Sequence, residues 1–207
     1  ELYGIEVGNP ITPDVMFSYD EKIEVVRGKA FDNRLGCAIV MEIMKELKLS
    51  ELGVEPVGVV SAQEEVGLRG AQVAANILKP DFAIIFEGAP ADDTFRDSFS
   101  SKGAIGKGIQ LRVLDAGMVS NPRVQEYVKN IAIKNNIPFQ VIARSGGSTN
   151  GCKYHITEKS IPTVVIGIPT RYIHTHYTYA SVKDYKNAIF LGKKILEELT
   201  KDTIKNF

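Results

Sequence analysis

The sequence predicts an α/β fold: an α/β/α sandwich around a mixed, mostly parallel sheet. Two observations carry this. From residue 30 onward, short apolar runs alternate with amphipathic segments of helical period. Acidic residues stand at the ends of those apolar runs, where open α/β sheets place their chemistry. The 207 residues are 44% hydrophobic and 24% charged, an ordinary globular balance for one large domain.

Taken in order, residues 1–29 read as β structure. Apolar-rich stretches at 15–19 and 22–26 flank a turn at Asp20 and Glu21, with Gly8, Pro10 and Gly28 as breakers. Residues 30–36 open a helix that reaches about Leu49. Asp32 is its candidate N-cap, and Leu35, Ile39, Ile43 and Leu47 form its apolar stripe. A strand is expected over 57–62, delivering Glu64 and Glu65. A helix over 66–78 follows and ends before Pro80. Residues 82–86 form the next strand, with Glu87 directly after it. Asp92 and Asp93 read as solvated loop residues.

The stretch 103–115 alternates as a strand does. Asn121 and Pro122 start a helix running to about Asn136. Strands are expected at 138–142 and 163–169, separated by a glycine-rich loop at 145–151. Ser181 and Asp184 have capping-box spacing before a last helix reaching about Thr200.

Composition excludes some classes of function. Lys+Arg and Asp+Glu are each 25, so the chain has no basic surplus with which to bind nucleic acid or an anionic membrane surface. No run is long and apolar enough for a membrane span, and the N-terminus has no signal-peptide pattern. Cys37 and Cys152 lack zinc-ribbon spacing and imply a reducing, cytoplasmic setting.

Asp32, Glu64, Glu65, Glu87 and His174 collect at comparable positions. Each alone has a bland reading: a helix cap, a solvated loop acid or a hydrogen-bonded histidine. Together they form a carboxylate and imidazole set suited to zinc or cobalt where cysteine is absent. Two metals roughly 3.5–4 Å apart can share a water and lower its pKa. A neighbouring carboxylate that is not a ligand can then move the proton. Glu64 and Glu65, being adjacent, supply one acid for each task. Only one of His174 and His176 is expected to reach such a centre, because an extended chain separates them along the strand.

Three motifs occur in order: Ala-Phe-Asp-Asn-Arg-Leu-Gly at 30–36, Gln-Glu-Glu-Val-Gly-Leu-Arg-Gly-Ala at 63–71, and Pro-Thr-Arg-Tyr-Ile-His-Thr-His at 169–176. Together they resemble the dinuclear metallo-aminopeptidases of the tetrahedral (TET) family, some of which carry endoglucanase or cellulase M labels. The resemblance implies a zinc-exopeptidase-like fold and two divalent metal ions per subunit. It also implies removal of N-terminal residues from peptides by a metal-bridged hydroxide, and dimers assembling into a tetrahedral shell. Carried over residue by residue, Asp32 is the bridging ligand, Glu64 the general base, Glu65 and His174 ligands of one metal, and Glu87 a ligand of the other. Asn33 stands where some relatives have an acid.

The resemblance further implies a histidine in a His-x-Asp context ahead of the Asp32 motif, and none of His155, His174 and His176 holds that place. Residues 1–27 are therefore expected to be the last strands of an inserted β domain, and 28–207 the C-terminal portion of the catalytic domain. Such a chain is expected to be weakly active or inactive alone. The alternatives are a metal-independent glycoside hydrolase, or an inactive fragment serving as an assembly subunit. The glycosidase reading lacks its usual aromatic platforms, since the chain has no Trp.

Overall fold

The computed structural model describes residues 3–207. Its strands are β1 (Ser18–Asp20), β2 (Val25–Gly28), β3 (Ala83–Ala91), β4 (Ile109–Leu114), β5 (Phe139–Ala143), β6 (Thr163–Arg171) and β7 (Thr178–Ser181). Its helices are α1 (Phe31–Glu46), α2 (Arg69–Leu78), α3 (Pro122–Lys134), α4 (Gly151–Tyr154), α5 (Val182–Glu198) and α6 (Lys201–Lys205). The strands form one sheet in the order β1-β2-β7-β6-β4-β5, with β3 paired to β6. The sheet is mixed, as expected. Its two parallel ladders, β3 with β6 and β4 with β5, are its longest, while the other four pairings are antiparallel.

Helices α1, α3 and α5 cover one face of the sheet. Ile39, Val128 and Leu191 pack there against Leu111, Val164, Ile166 and Ile168. Burial of such side chains stabilises by about 1.5–3 kcal/mol each before entropy is counted. Among the described residues, the opposite face carries only α2 and the single turn of α4, whose Ala71, Ala75 and Tyr154 sit on Ile85 and Val165. The α/β/α sandwich is therefore thick on one side and thin on the other.

Helix boundaries follow local chemistry. Asn121 accepts a hydrogen bond from the Arg123 amide at 2.9 Å and caps α3, with Pro122 inside its first turn. Lys79, in a left-handed conformation before Pro80, ends α2.

Several expectations need correction. Residues 57–62 are extended but have no ladder partner among the described residues, and they form no strand. Val57 and Val60 are exposed, and the run lies against Val40 and Met44 of α1 at Gly58. A run of apolar residues signals strand geometry, but a strand also needs a partner's backbone. β3 runs past its expected end, so Glu87 lies inside the strand rather than after it. Apart from these corrections, β2 is hydrogen-bonded to β7, so the β1–β2 hairpin continues the sheet.

Ser181 caps α5 as expected, yet Asp184 does not complete a capping box. Its buried carboxylate instead accepts bonds from the Gly106 amide at 2.6 Å and the Gly108 amide at 2.9 Å. Asp92 and Asp93 are not solvated. Asp92 accepts from Ser101 and the Lys102 amide, and Asp93 takes a two-point bond from Arg171 at 2.9 and 2.7 Å.

Candidate metal centre

Asp32 enters the site from the first turn of α1, where it is not the expected cap. Ala30 holds the position before the helix in a left-handed conformation, and Asp32 itself is extended, with φ −91° and ψ 106°. Its carboxylate is thereby turned away from the helix amides and toward the sheet. Asn33 fixes this placement. Its Nδ2 donates to the Phe86 carbonyl at 2.8 Å, and its Oδ1 accepts from the Gly88 amide at 3.1 Å. Those two backbone groups flank Glu87. The approach is so close that a Cβ on Gly88 would lie 2.8 Å from the Asp32 Cα, so glycine is required there.

Glu64 and Glu65 sit on a turn knotted by its own backbone. The Glu64 carbonyl accepts from the amides of Gly67 at 3.0 Å and Leu68 at 2.8 Å, and the Ala62 carbonyl accepts from the Gly70 amide at 3.0 Å. Left-handed Gln63 and Leu68 frame the turn. His174 follows β6 in a short loop and is itself left-handed, with φ 63°, an uncommon conformation for a residue with a Cβ.

These elements bring Asp32, Glu65 and His174 together, with one donor atom from each lying within 4.8 Å of the others. His174 Nε2 is 3.0 Å from Asp32 Oδ2 and 3.8 Å from Glu65 Oε2. Burial raises the carboxyls of Glu65 and Glu87, and the charge of Asp32 acts on both and raises them further. Glu87 is outside this three-donor group but feels the charge of Asp32. His176 is outside the group, its ring tilted at 55° against Tyr177, and His155 bonds the Gly117 carbonyl at 3.0 Å.

Electrostatics show what such crowding costs. Glu87 is 4% exposed, and neither carboxylate oxygen has a hydrogen-bond partner. Burial, followed by the charges of Asp32 and Glu64, pushes its carboxyl up to about 9. Burial, followed by the charges of Glu65 and Asp32, pushes Glu64 up to about 7. Glu65 is raised for the same reasons, burial first and then Asp32. Buried acids without donors are costly unless a cation meets them. The orphaned oxygens of Glu87 and the oxygen and imidazole donors around Asp32 fit divalent cations.

Arg112 was not singled out from sequence. It is buried, paired with Asp115 at 3.3 Å, and its positive charge acts on both Glu64 and Glu87. An isolated arginine in an alternating strand carries no local mark of that role. Asn33 likewise gave no signal beyond its place in a motif.

A layered α/β fold with acids and one imidazole gathered beside the strand ends defines a metal-centred class. The family model described as M42 glutamyl aminopeptidase matches residues 1–191, and the chain belongs to that family. It is 32% identical over 208 residues to the glutamyl aminopeptidase of Lactococcus lactis subsp. cremoris, covering 99% of this chain and 58% of that protein. It is 34% identical over 174 residues to the lysyl aminopeptidase of Pyrococcus furiosus, covering 81% of this chain and 47% of that protein. Among solved structures, the TET aminopeptidase of a marine sediment thaumarchaeote superposes with a TM-score of 0.91 at 38% identity, covering 98% of this chain and 58% of that one. The chain thus spans about half the length of the curated relatives it matches.

Proposed function

We propose that the protein is a metal-dependent aminopeptidase whose site is built on Asp32, Glu64, Glu65, Glu87 and His174. The observation that supports this is the grouping of one donor atom each from Asp32, Glu65 and His174 within 4.8 Å, near a buried Glu87 carboxylate that has no hydrogen-bond partner. In this reading Asp32 would be shared by two divalent ions, zinc or cobalt, with Glu65 and His174 as ligands of one and Glu87 as ligand of the other. Bound ions supply Lewis acidity that polarises a peptide carbonyl and acidifies water.

The chain's own groups do the rest. Glu64 is half-buried beside the cluster but outside the three-donor group. It takes the proton of the attacking water and passes it to the leaving amine. Asn33 holds Asp32 and Glu87 in fixed relation by bonding the backbone on both sides of Glu87. Arg112 offsets part of the negative charge that the acids concentrate.

The reading extends to peptide substrates, a cytoplasmic setting and a homo-oligomer of dimers closed into a tetrahedral shell. It includes the division into 1–27, from an inserted β domain, and 28–207, from the catalytic domain. No helix among the described residues is long and apolar enough to cross a membrane. Chelation tests the central claim. Release of N-terminal residues should vanish on chelator treatment and return with zinc or cobalt, in step with metal content by elemental analysis. Peptide hydrolysis that survives complete metal removal would overturn the metal-dependent reading, and release of sugar from a polymer that survives chelation would favour the glycosidase alternative.

A further inference from the structure

The loop over 172–177 joins β6 to β7 and carries His174. Both of its ends are anchored. Thr170 and Arg171 pair with Ala180 and Tyr179 across the ladder. Arg171 is held by Asp93, and Thr178 Oγ1 donates to the Gly28 carbonyl at 2.7 Å. Between these anchors Tyr172 and His174 are both left-handed, with φ 56° and 63°. A residue with a Cβ keeps that conformation only where its surroundings enforce it.

Packing does not enforce it at His174, whose side chain is 67% exposed. Its Nε2 meets Asp32 and Glu65, and those are members of the group that the imidazole completes. The direction of the ring is therefore set by the loop backbone. Among the described residues, Thr175 is the side chain whose hydrogen bonds span His174. Its hydroxyl lies 2.7 Å from the Tyr172 carbonyl and 3.0 Å from the Tyr177 carbonyl, one on each side of His174. A hydroxyl has a single proton, so the two carbonyls share it. The Thr175 amide adds a bond to the Tyr172 carbonyl at 3.2 Å. The aromatic contacts hold the ends of the loop instead: Tyr172 packs edge-on against Tyr179, and the Arg27 guanidinium lies over the Tyr177 ring.

We propose that Thr175 is a positioning residue, whose hydroxyl ties the carbonyls of Tyr172 and Tyr177 and so keeps His174 aimed at Asp32 and Glu65. This rests on the metal-dependent reading of the site, in which His174 is a ligand of one ion. Thr175 acts through His174 and touches neither ion nor substrate in this role. Residues that orient a metal-binding histidine tune its affinity without being ligands.

Two readouts test this, one without metal and one with zinc. In the chelator-treated protein, NMR reads the loop backbone. A positive φ brings the amide proton and Hα of one residue close, which gives a strong intraresidue Overhauser effect at His174. Thr175→Ser keeps the hydroxyl and should retain that effect. Thr175→Val keeps the shape without the hydroxyl and should weaken it. Zinc calorimetry then reads the aim of the imidazole. Thr175→Val should weaken about tenfold the zinc binding that His174→Ala abolishes, and leave any second zinc within about twofold. Thr175→Ser should stay within about threefold of the parent. In a His174→Ala background, Thr175→Val should alter zinc affinity by less than about twofold, because its effect runs through His174. The proposal is overturned if the Overhauser effect at His174 is unchanged by Thr175→Val. It is overturned equally if that variant leaves zinc affinity intact, weakens two sites alike, or still weakens zinc once His174 is gone. A parent protein that binds no zinc refutes the metal-dependent reading separately, while the Overhauser effect still decides what Thr175 does to His174.

Discussion

On one face of the sheet, Ile39, Val128 and Leu191 are fully buried among β-branched and leucine side chains from three helices. On the other, α2 contributes Ala71 and Ala75, and the remaining space holds Glu64, Glu87 and Arg112. Both faces belong to the same strands, so residues alternate between them along each chain. β3 shows this directly. Phe86 points into the thick layer, and Glu87, next to it, turns toward the thin one. The thick face can stabilise the fold without help, and this leaves the thin face free to carry groups that cost stability. An acid sealed without donors is tolerated only where burial elsewhere offsets it.

The largest expected effects separate the two faces. Glu64→Gln should lower the rate of peptide hydrolysis by about 10²–10⁴-fold, the usual contribution of a positioned general base. It should leave the melting temperature and metal content close to the parent values. Metal lost in proportion to activity would reassign Glu64 as a ligand. Leu191→Ala should do the reverse. It removes a fully buried side chain from α5 and should cost about 2–5 kcal/mol in denaturant unfolding. Its rate per folded molecule should stay near normal. A mutant that loses both together would show the two faces to be coupled.

A smaller effect concerns pH in the metal-free protein. The Glu87 carboxyl is raised in the fold to about 9 from 4.5, and that of Glu64 to about 7. Between the ordinary and raised values the folded state binds more protons than the unfolded chain. Stability is therefore greatest below about pH 4.5, falls as pH rises, and is fully lost for these groups above pH 9. Glu64, being half-exposed, contributes less. With chelator present, the melting temperature should drop on the order of 5 °C between pH 5 and pH 8.5. Glu87→Gln should flatten most of that slope, and divalent cation should reverse it in the parent. A flat profile in the chelated parent would mean that Glu87 has a proton donor in solution.

The layered fold was legible because its signals are local. Apolar period, Pro122 and Asn121 each act within a few residues. The proximity of Asp32, Glu65 and His174 was legible from their motifs, although Glu87 sits inside β3 rather than after it. Hydrogen-bond partners distant in sequence were not. Asp184 looked like half a capping box, but its bonds are to Gly106 and Gly108, far earlier in the chain. Asp93 looked solvated because its partner Arg171 lies on another strand, and Asp92 because its donors Ser101 and Lys102 come from the far end of the loop. The run at 57–62 has strand composition, but composition does not supply a ladder partner. Asn33 was read as a replaced acid. Its role needs a donor and an acceptor on one side chain, which an amide has and a carboxylate lacks.

The smallest effect is a control on the thin face. Ile43 of α1 and Ile77 of α2 are both apolar residues on helices flanking the same sheet. Ile43 is 3% exposed and Ile77 is 74% exposed. Ile43→Ala should cost about 2–5 kcal/mol, because it leaves a cavity in a packed layer. Ile77→Ala should change stability by no more than about 0.5 kcal/mol, since its side chain already meets solvent. Ile77 lies with Val60, Val73 and Leu78 along the outer side of α2, all of them exposed. If Ile77→Ala instead costs as much as Ile43→Ala, that side of α2 is covered in solution, and the thin face is thin only within residues 3–207.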